Sequence, residues 1–199
     1  GGECCRKQEY PKNNKKQQAM NRQFTIKLIT AISAILFMGG CGKWYKDGEM
    51  ALEKQPYIGN ALRLDGYYYN RLEDGRIWNT YFYYRDGTML FGIGTEGLDN
   101  DLDKYDAWFA SEEFSDFLKK DKYRWGLFQI HDDSIFFERW VIDDGGYPVG
   151  RFVGNIINDT TFFISTLEHP DDNEVYPQNY MFHFHAFSPK PDSTNIFVP

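Results

Sequence analysis

Residues 77–93, IWNTYFYYRDGTMLFGI, read as two aromatic-rich strands around one turn. Ile, Trp, Tyr, Phe and Thr suit a pleated, half-buried surface, where flat and β-branched side chains pack on their neighbours. Arg85-Asp86-Gly87 interrupts the apolar run, and its Asp-Gly pair fits the tight connection of a β-hairpin. The spacing predicts antiparallel strands over 77–84 and 88–93.

The same grammar extends in both directions. Residues 64–70 (LDGYYYN) predict a strand before Leu72-Glu73-Asp74-Gly75. Residues 123–130 (YRWGLFQI) and 134–142 (SIFFERWVI) flank His131-Asp132-Asp133. Asp143-Asp144-Gly145-Gly146 leads into a strand over 147–157, and Asn158-Asp159-Thr160 into one over 161–167. After an acidic, Pro-containing loop, residues 180–187 (YMFHFHAF) make the last strand. Eight consecutive antiparallel strands predict a mainly β protein, either an up-and-down eight-stranded barrel or a strongly curled sandwich. Closure would remove the edges that such aromatic strands otherwise expose to aggregation. One segment differs. Ser111 is placed to cap a helix, Glu112 and Glu113 lie in its first turn, and Lys119 and Lys120 in its last. Phe114, Phe117 and Leu118 form one stripe, so a short amphipathic helix is expected over 111–120.

At 199 residues the chain has room for one ordinary domain. A mean hydropathy of −0.59 excludes a polytopic membrane protein. A pI near 5.1 argues against a nucleic-acid partner bound by phosphate neutralisation. The amino-terminal region is of another kind. Residues 1–19, GGECCRKQEYPKNNKKQQA, are polar and basic with no apolar period, and read as an upstream extension before Met20. Arg22 and Lys27 then precede an apolar run over 28–38, followed by Gly39, Gly40 and Cys41. Positive charge, a short apolar core and small residues are the parts of a secretory signal peptide over 20–40. The run is shorter than the roughly 20 residues of a spanning helix.

Met38-Gly39-Gly40-Cys41 resembles the lipobox of bacterial lipoproteins, with Met38 where Leu is usual. The resemblance implies that Cys41 is acylated and becomes the first residue of the mature chain. Cys4 and Cys5 fall in the extension, and as neighbours they are poorly placed to pair with each other. The first forty residues hold seven basic and two acidic side chains, which leaves 15 basic and 27 acidic after them, a net charge of −12. Such a body repels anionic head groups. Membrane attachment is therefore expected from lipid burial at Cys41, at about 0.8 kcal/mol per CH₂. Gly42 is not the inner-membrane retention Asp, so by resemblance to the proteobacterial sorting rule the outer membrane is favoured, with surface exposure open. Residues 42–60 read as a tether following Cys41, 61–190 as the β domain and 191–199 as a tail.

From Leu62 to Ser193 the chain is similar to small lipocalin-like lipoproteins of the Bacteroidetes type. Gly66-Tyr67-Tyr68, Trp125-Gly126-Leu127-Phe128, the run 154–162 (GNIINDTTF) and Lys190-Pro191-Asp192-Ser193 carry the likeness. It implies a fold and brings no catalytic residues.

Candidate chemistry is sparse. His183 and His185, two apart on one strand, share a face and could ligate zinc with His131 or an acid. Met181 and Phe187 share that face, and ring packing is the reading preferred. Asp99-Asn100-Asp101-Leu102-Asp103 opens like a calcium loop. Lys104 stands where the sharp-turn glycine belongs and Ala110 where the bidentate Glu belongs, so a solvated acidic loop is expected. The cluster 168–174 (EHPDDNE) could supply a cation site or an acid/base pair, and again reads as a solvated loop. Gly92-Ile93-Gly94-Thr95-Glu96-Gly97 has dinucleotide-loop letters without a βαβ context. Nucleophile-elbow, zincin and Walker motifs are missing, and no cofactor is indicated. The aromatic excess favours a lipid-anchored binding or interaction module, with Trp78, Trp125, Phe136, Trp140 and Phe162 as candidate lining of a pocket for a small apolar ligand. The same rings packed together would leave an envelope protein as partner. An envelope structural protein is the second reading. A glycan or lipid hydrolase using Glu138 and His183 or His185 is the third.

Overall fold

A computed structural model describes residues 47–93, 100–118, 120–142, 146–170 and 173–198. The upstream extension, the signal peptide and Cys41 lie outside them, as do Asp99, Asp143, Asp144, Asp171 and Asp172. Eight strands follow in order: β1 (Gly66–Arg71), β2 (Ile77–Tyr83), β3 (Thr88–Ile93), β4 (Trp125–His131), β5 (Ser134–Trp140), β6 (Val149–Asn158), β7 (Thr161–His169) and β8 (Glu174–Ala186). Each pairs antiparallel with the next, and β1 pairs with β8 from Gly66↔Ala186 to Asn70↔Phe182. The result is a closed barrel, which decides between the two architectures the sequence allowed.

The turns form for the expected reasons. Gly87 sits at φ 88, a left-handed conformation that a side chain would strain, and Asp86 Oδ1 accepts from the Thr88 amide (3.1 Å) and hydroxyl (2.6 Å). Between β3 and β4 lie α1 (Leu102–Phe109), α2 (Glu112–Leu118) and a single 3₁₀ turn (Lys122–Arg124). Helix α2 is the expected one, with the Ser111 hydroxyl accepting from the Phe114 amide at 3.1 Å. Helix α1 was not expected. The acidic run read as a solvated loop contains its cap: Asp101 accepts from the Asp103 amide at 3.0 Å, while Tyr105 and Phe109 are buried.

Strand alternation creates two cores. The barrel interior holds Tyr68, Tyr81, Tyr83, Phe91, Phe128, Phe137, Phe152, Phe162 and Phe182 with Met89, Ile135 and Ile164. Phe137 stacks on Phe152 at 4.7 Å and Phe162 on Phe182 at 4.8 Å. A second core lies outside the first four strands, where Tyr67, Phe82, Leu90, Trp125 and Leu127 meet Tyr105, Phe109 and Phe114 of the helices and Phe187 and Val198 of the tail. These strands are thus buried on both faces. That explains why residues 80–84 and 88–91 carry so little polar alternation.

The barrel end formed by the 85–87, 132–133 and 159–160 turns is closed. Tyr57 packs on Phe128 (5.7 Å between rings), accepts from the Leu62 amide at its hydroxyl (3.1 Å), and Leu62 is buried beside it. The expected tether is therefore part of the folded body from Asp47 onward. Ala51 and Leu52 donate their amides to Glu138 Oε2 at 2.7 and 2.8 Å, and Glu138 Oε1 accepts from Arg151 (2.6 Å to Nη2, 2.8 Å to Nε). The tail is fixed too: Tyr84 donates its hydroxyl to the Pro191 carbonyl (2.9 Å), and just before it Lys190 donates to the carbonyls of Leu64 (2.5 Å) and Tyr83 (2.9 Å).

Candidate ligand site at the open barrel mouth

At the opposite end the interior opens into a cavity of about 410 Å³, within the size range of small-molecule sites. Its walls are Tyr81 and Asn79 from β2, Phe91 from β3, Phe137 and Arg139 from β5, Phe152 from β6, Ile164 and Leu167 from β7, and Gln178, Tyr180 and Phe182 from β8. Trp78, Tyr123 and Ile142 stand at the rim, where Trp78 is 46% and Ile142 67% exposed. Below the cavity the rings of Tyr68, Tyr83, Phe128 and Phe162 fill the barrel. Tyr83 meets Phe128 at 4.8 Å and Tyr68 meets Phe162 at 5.1 Å. The site is short and blind-ended.

Arg139 is the charged group in its wall. Ile135, Phe137 and Arg139 alternate along β5, so the fold turns this cation inward on an otherwise apolar face. Interior position 126 on β4 pairs with Arg139 and is Gly, and a Cβ there would lie 3.0 Å from the Arg139 Cβ and 2.2 Å from the Glu138 carbonyl. The guanidinium lies 4.0 Å from the centre of the Phe91 ring and 5.2 Å from that of Phe152, a cation–π arrangement that holds it in the wall. Nη1 donates to the Trp140 carbonyl at 3.2 Å, and the buried Nε–H has no partner. Burial raises the Tyr81 phenol above its ordinary pKa, and the adjacent Arg139 opposes that rise.

The expected pocket residues do not converge. Trp78 alone of the five lines the mouth. Phe162 is in the packed part of the interior, stacked on Phe182. Trp125 and Trp140 lie in the outer core, and Phe136 is on the outside of β5 near His131. Trp78, Phe136, Trp140 and Phe162 belong to strands that line the mouth and Trp125 to β4, which does not; parity along each strand sets which side a ring faces. Arg139 was overlooked; a charge on the apolar parity of β5 was the available signal.

A larger hollow of about 820 Å³ lies outside the barrel, floored by Leu52, Leu127, Trp140, Phe197 and Val198. Within it Lys122 pairs with Asp47 at 2.7 Å, and Trp140 Nε1 donates to the Gly48 carbonyl at 2.9 Å. Arg139, a cation in an aromatic wall with no carboxylate partner among the described residues, makes the smaller mouth the better candidate.

The other expected chemistry is accounted for. His183 and His185 do share the outer face of β8, but His185 Nε2 lies 3.0 Å from Asp106 Oδ2 on α1, Tyr67 donates its hydroxyl to Asp106 Oδ1 at 3.0 Å, and exposed His183 sits by the Tyr69 ring. Among the described residues no group of three or more His, Cys, Asp or Glu side chains could hold a metal ion. Glu138 is fully buried and committed to Arg151 and two amides, which removes it from acid/base work. In the 168–174 cluster, His169 packs edge-on to Tyr176, whose hydroxyl donates to Glu174. No family model, no curated protein and no solved structure matches the chain.

Proposed function

We propose that this chain is a lipid-anchored envelope protein of the lipocalin-like type whose barrel mouth binds a small, largely apolar molecule. The observation that carries the binding reading is an aromatic cavity of about 410 Å³ containing one inward cation, above an otherwise filled barrel. Binding needs no reacting groups, which agrees with the commitment of Glu138 and His185 to structural partners. Signal-peptide character and the Met38-Gly39-Gly40-Cys41 sequence support the anchor at Cys41, and Gly42 in place of a retention Asp supports an outer-membrane address.

Two experiments test this. Cells expressing the protein are labelled with radioactive palmitate; a labelled band that disappears in Cys41→Ser supports the anchor, and an unlabelled wild type sinks it. Native mass spectrometry of the purified protein is expected to retain a small-molecule adduct. In Ile164→Phe, which fills the cavity, the adduct should vanish while the fold persists. An adduct that survives places the ligand elsewhere, and the outer hollow becomes the site.

A further inference from the structure

We infer that the ligand of the barrel mouth is a compact aromatic carboxylate, held by Arg139 through a charge-assisted hydrogen bond. This rests on the mouth being a ligand site and names the class of molecule it takes. The first argument is the state of Arg139. Its Nη1 is taken by the Trp140 carbonyl and its planar face by Phe91, the Tyr81 phenol lies beside it, and its Nε–H is buried without an acceptor. No carboxylate pairs with it among the described residues. A half-buried guanidinium left in this condition is costly, because desolvation is not repaid by a full set of partners. A carboxylate at the mouth would supply the counter-charge and accept a charge-assisted hydrogen bond from the part of the guanidinium that faces the cavity. A neutral acceptor would satisfy the hydrogen bond but leave the charge uncompensated.

The second argument is shape. Phe91, Phe137, Phe152, Tyr180 and Phe182 present ring faces and edges, and Trp78 stands half-exposed over the opening. Flat apolar bodies gain from such walls by offset and edge-to-face contacts. Depth excludes the alternative amphiphile. A long acyl chain would have to pass Tyr83, Phe128 and Phe162, which already touch one another across the barrel. The body of the ligand is therefore one or two rings with its acid group near Arg139.

The test is calorimetric titration of the full-length protein, in lipid nanodiscs, with a matched pair of probes. They are 1-naphthaleneacetic acid and its neutral analogue 2-(1-naphthyl)ethanol, at pH 7. The acid is expected to bind at least tenfold more tightly than the alcohol. Arg139→Met should reduce the two to equal affinity, and Arg139→Lys should keep a preference for the acid but a smaller one. Equal binding of both probes by the wild type would overturn the carboxylate inference and leave the mouth as a site for neutral aromatics. Binding of neither would overturn the inference and the proposed site together. Circular dichroism checks each variant, and should Arg139→Met not fold, the wild-type comparison and Arg139→Lys decide the matter alone. Loss of the acid preference in Ile164→Phe assigns it to the mouth; its survival there overturns the assignment to Arg139.

Discussion

A half-buried and a buried charge outside the mouth show how a single side chain is made tolerable in this fold, and each has a measurable signature. Lys190 is pushed down to about 8 from its usual 10.5 by burial, although Asp65 and Asp86 act in the opposite sense. Its ammonium lies 4.5 Å from the centre of the Tyr84 ring and donates to two carbonyls, so a largely desolvated cation fixes the chain just before the tail. A depressed lysine binds fewer protons folded than unfolded between pH 8 and 10.5. Its contribution therefore becomes more favourable as pH rises through that window, and is least favourable below it. Urea midpoints of the wild type should gain on those of Lys190→Met between pH 7.5 and 10.5, and a constant difference would contradict the depressed value. Glu138 is the anionic counterpart, with no exposed surface and three donor groups upon it. Glu138→Ala strands Arg151 and two amides, and should lower unfolding free energy by about 3–5 kcal/mol. Arg151→Met added to it should recover part of that loss, which equilibrium urea unfolding of the double variant would show.

At the scale of elements, the strands were legible because each hairpin announces its turn and its two apolar runs. All eight expected strands exist, and β2, β3 and β5 begin at the residues the turns indicated. What the alternation could not give was the allocation of faces. In β2, Thr80 through Tyr83 are all buried, so neither parity stands out as the inner one. The candidate pocket suffered from that ambiguity: Trp125 and Trp140 are as apolar as Phe137 yet lie on the other side of the sheet. Helix α1 was hidden for a different reason. Its cap lies within an acidic cluster resembling a cation loop, although Leu102, Tyr105 and Phe109 carry a helical stripe. That helix is the lid of the outer core, and Phe109 is its anchor, touching Tyr67 and Phe82 at 5.0 Å and Phe114 at 4.8 Å. Phe109→Ala should cost about 3–5 kcal/mol. Hydrogen exchange should show lost protection in α1 and α2 first, with β5 to β8 retaining theirs. Uniform loss across the strands would mean that the lid and the barrel are one cooperative unit.

For the whole molecule, charge and chemistry at the site oppose each other. The chain from Cys41 onward carries a net charge of −12, while among the described residues the cavity wall holds a single cation. Repulsion between the acidic body and the ligand acts over the Debye length, about 30 Å at 0.01 M salt and 10 Å at 0.1 M. Contact with Arg139 acts only within the cavity, where salt screens far less. The two effects should therefore separate in the kinetics. If the mouth takes such an anion, approach would be slowed by the body and dissociation set by Arg139 and the rings. Stopped-flow fluorescence of Trp78 at the rim can follow both steps. The association rate of 1-naphthaleneacetic acid should rise severalfold between 10 and 150 mM salt while its dissociation rate barely moves, and the neutral alcohol should show neither change. An association rate that falls with salt would mean the ligand meets attraction on approach. The mouth would then have to be electropositive as a region, and Arg139 would be one member of a cationic surface instead of an isolated charge inside an acidic protein.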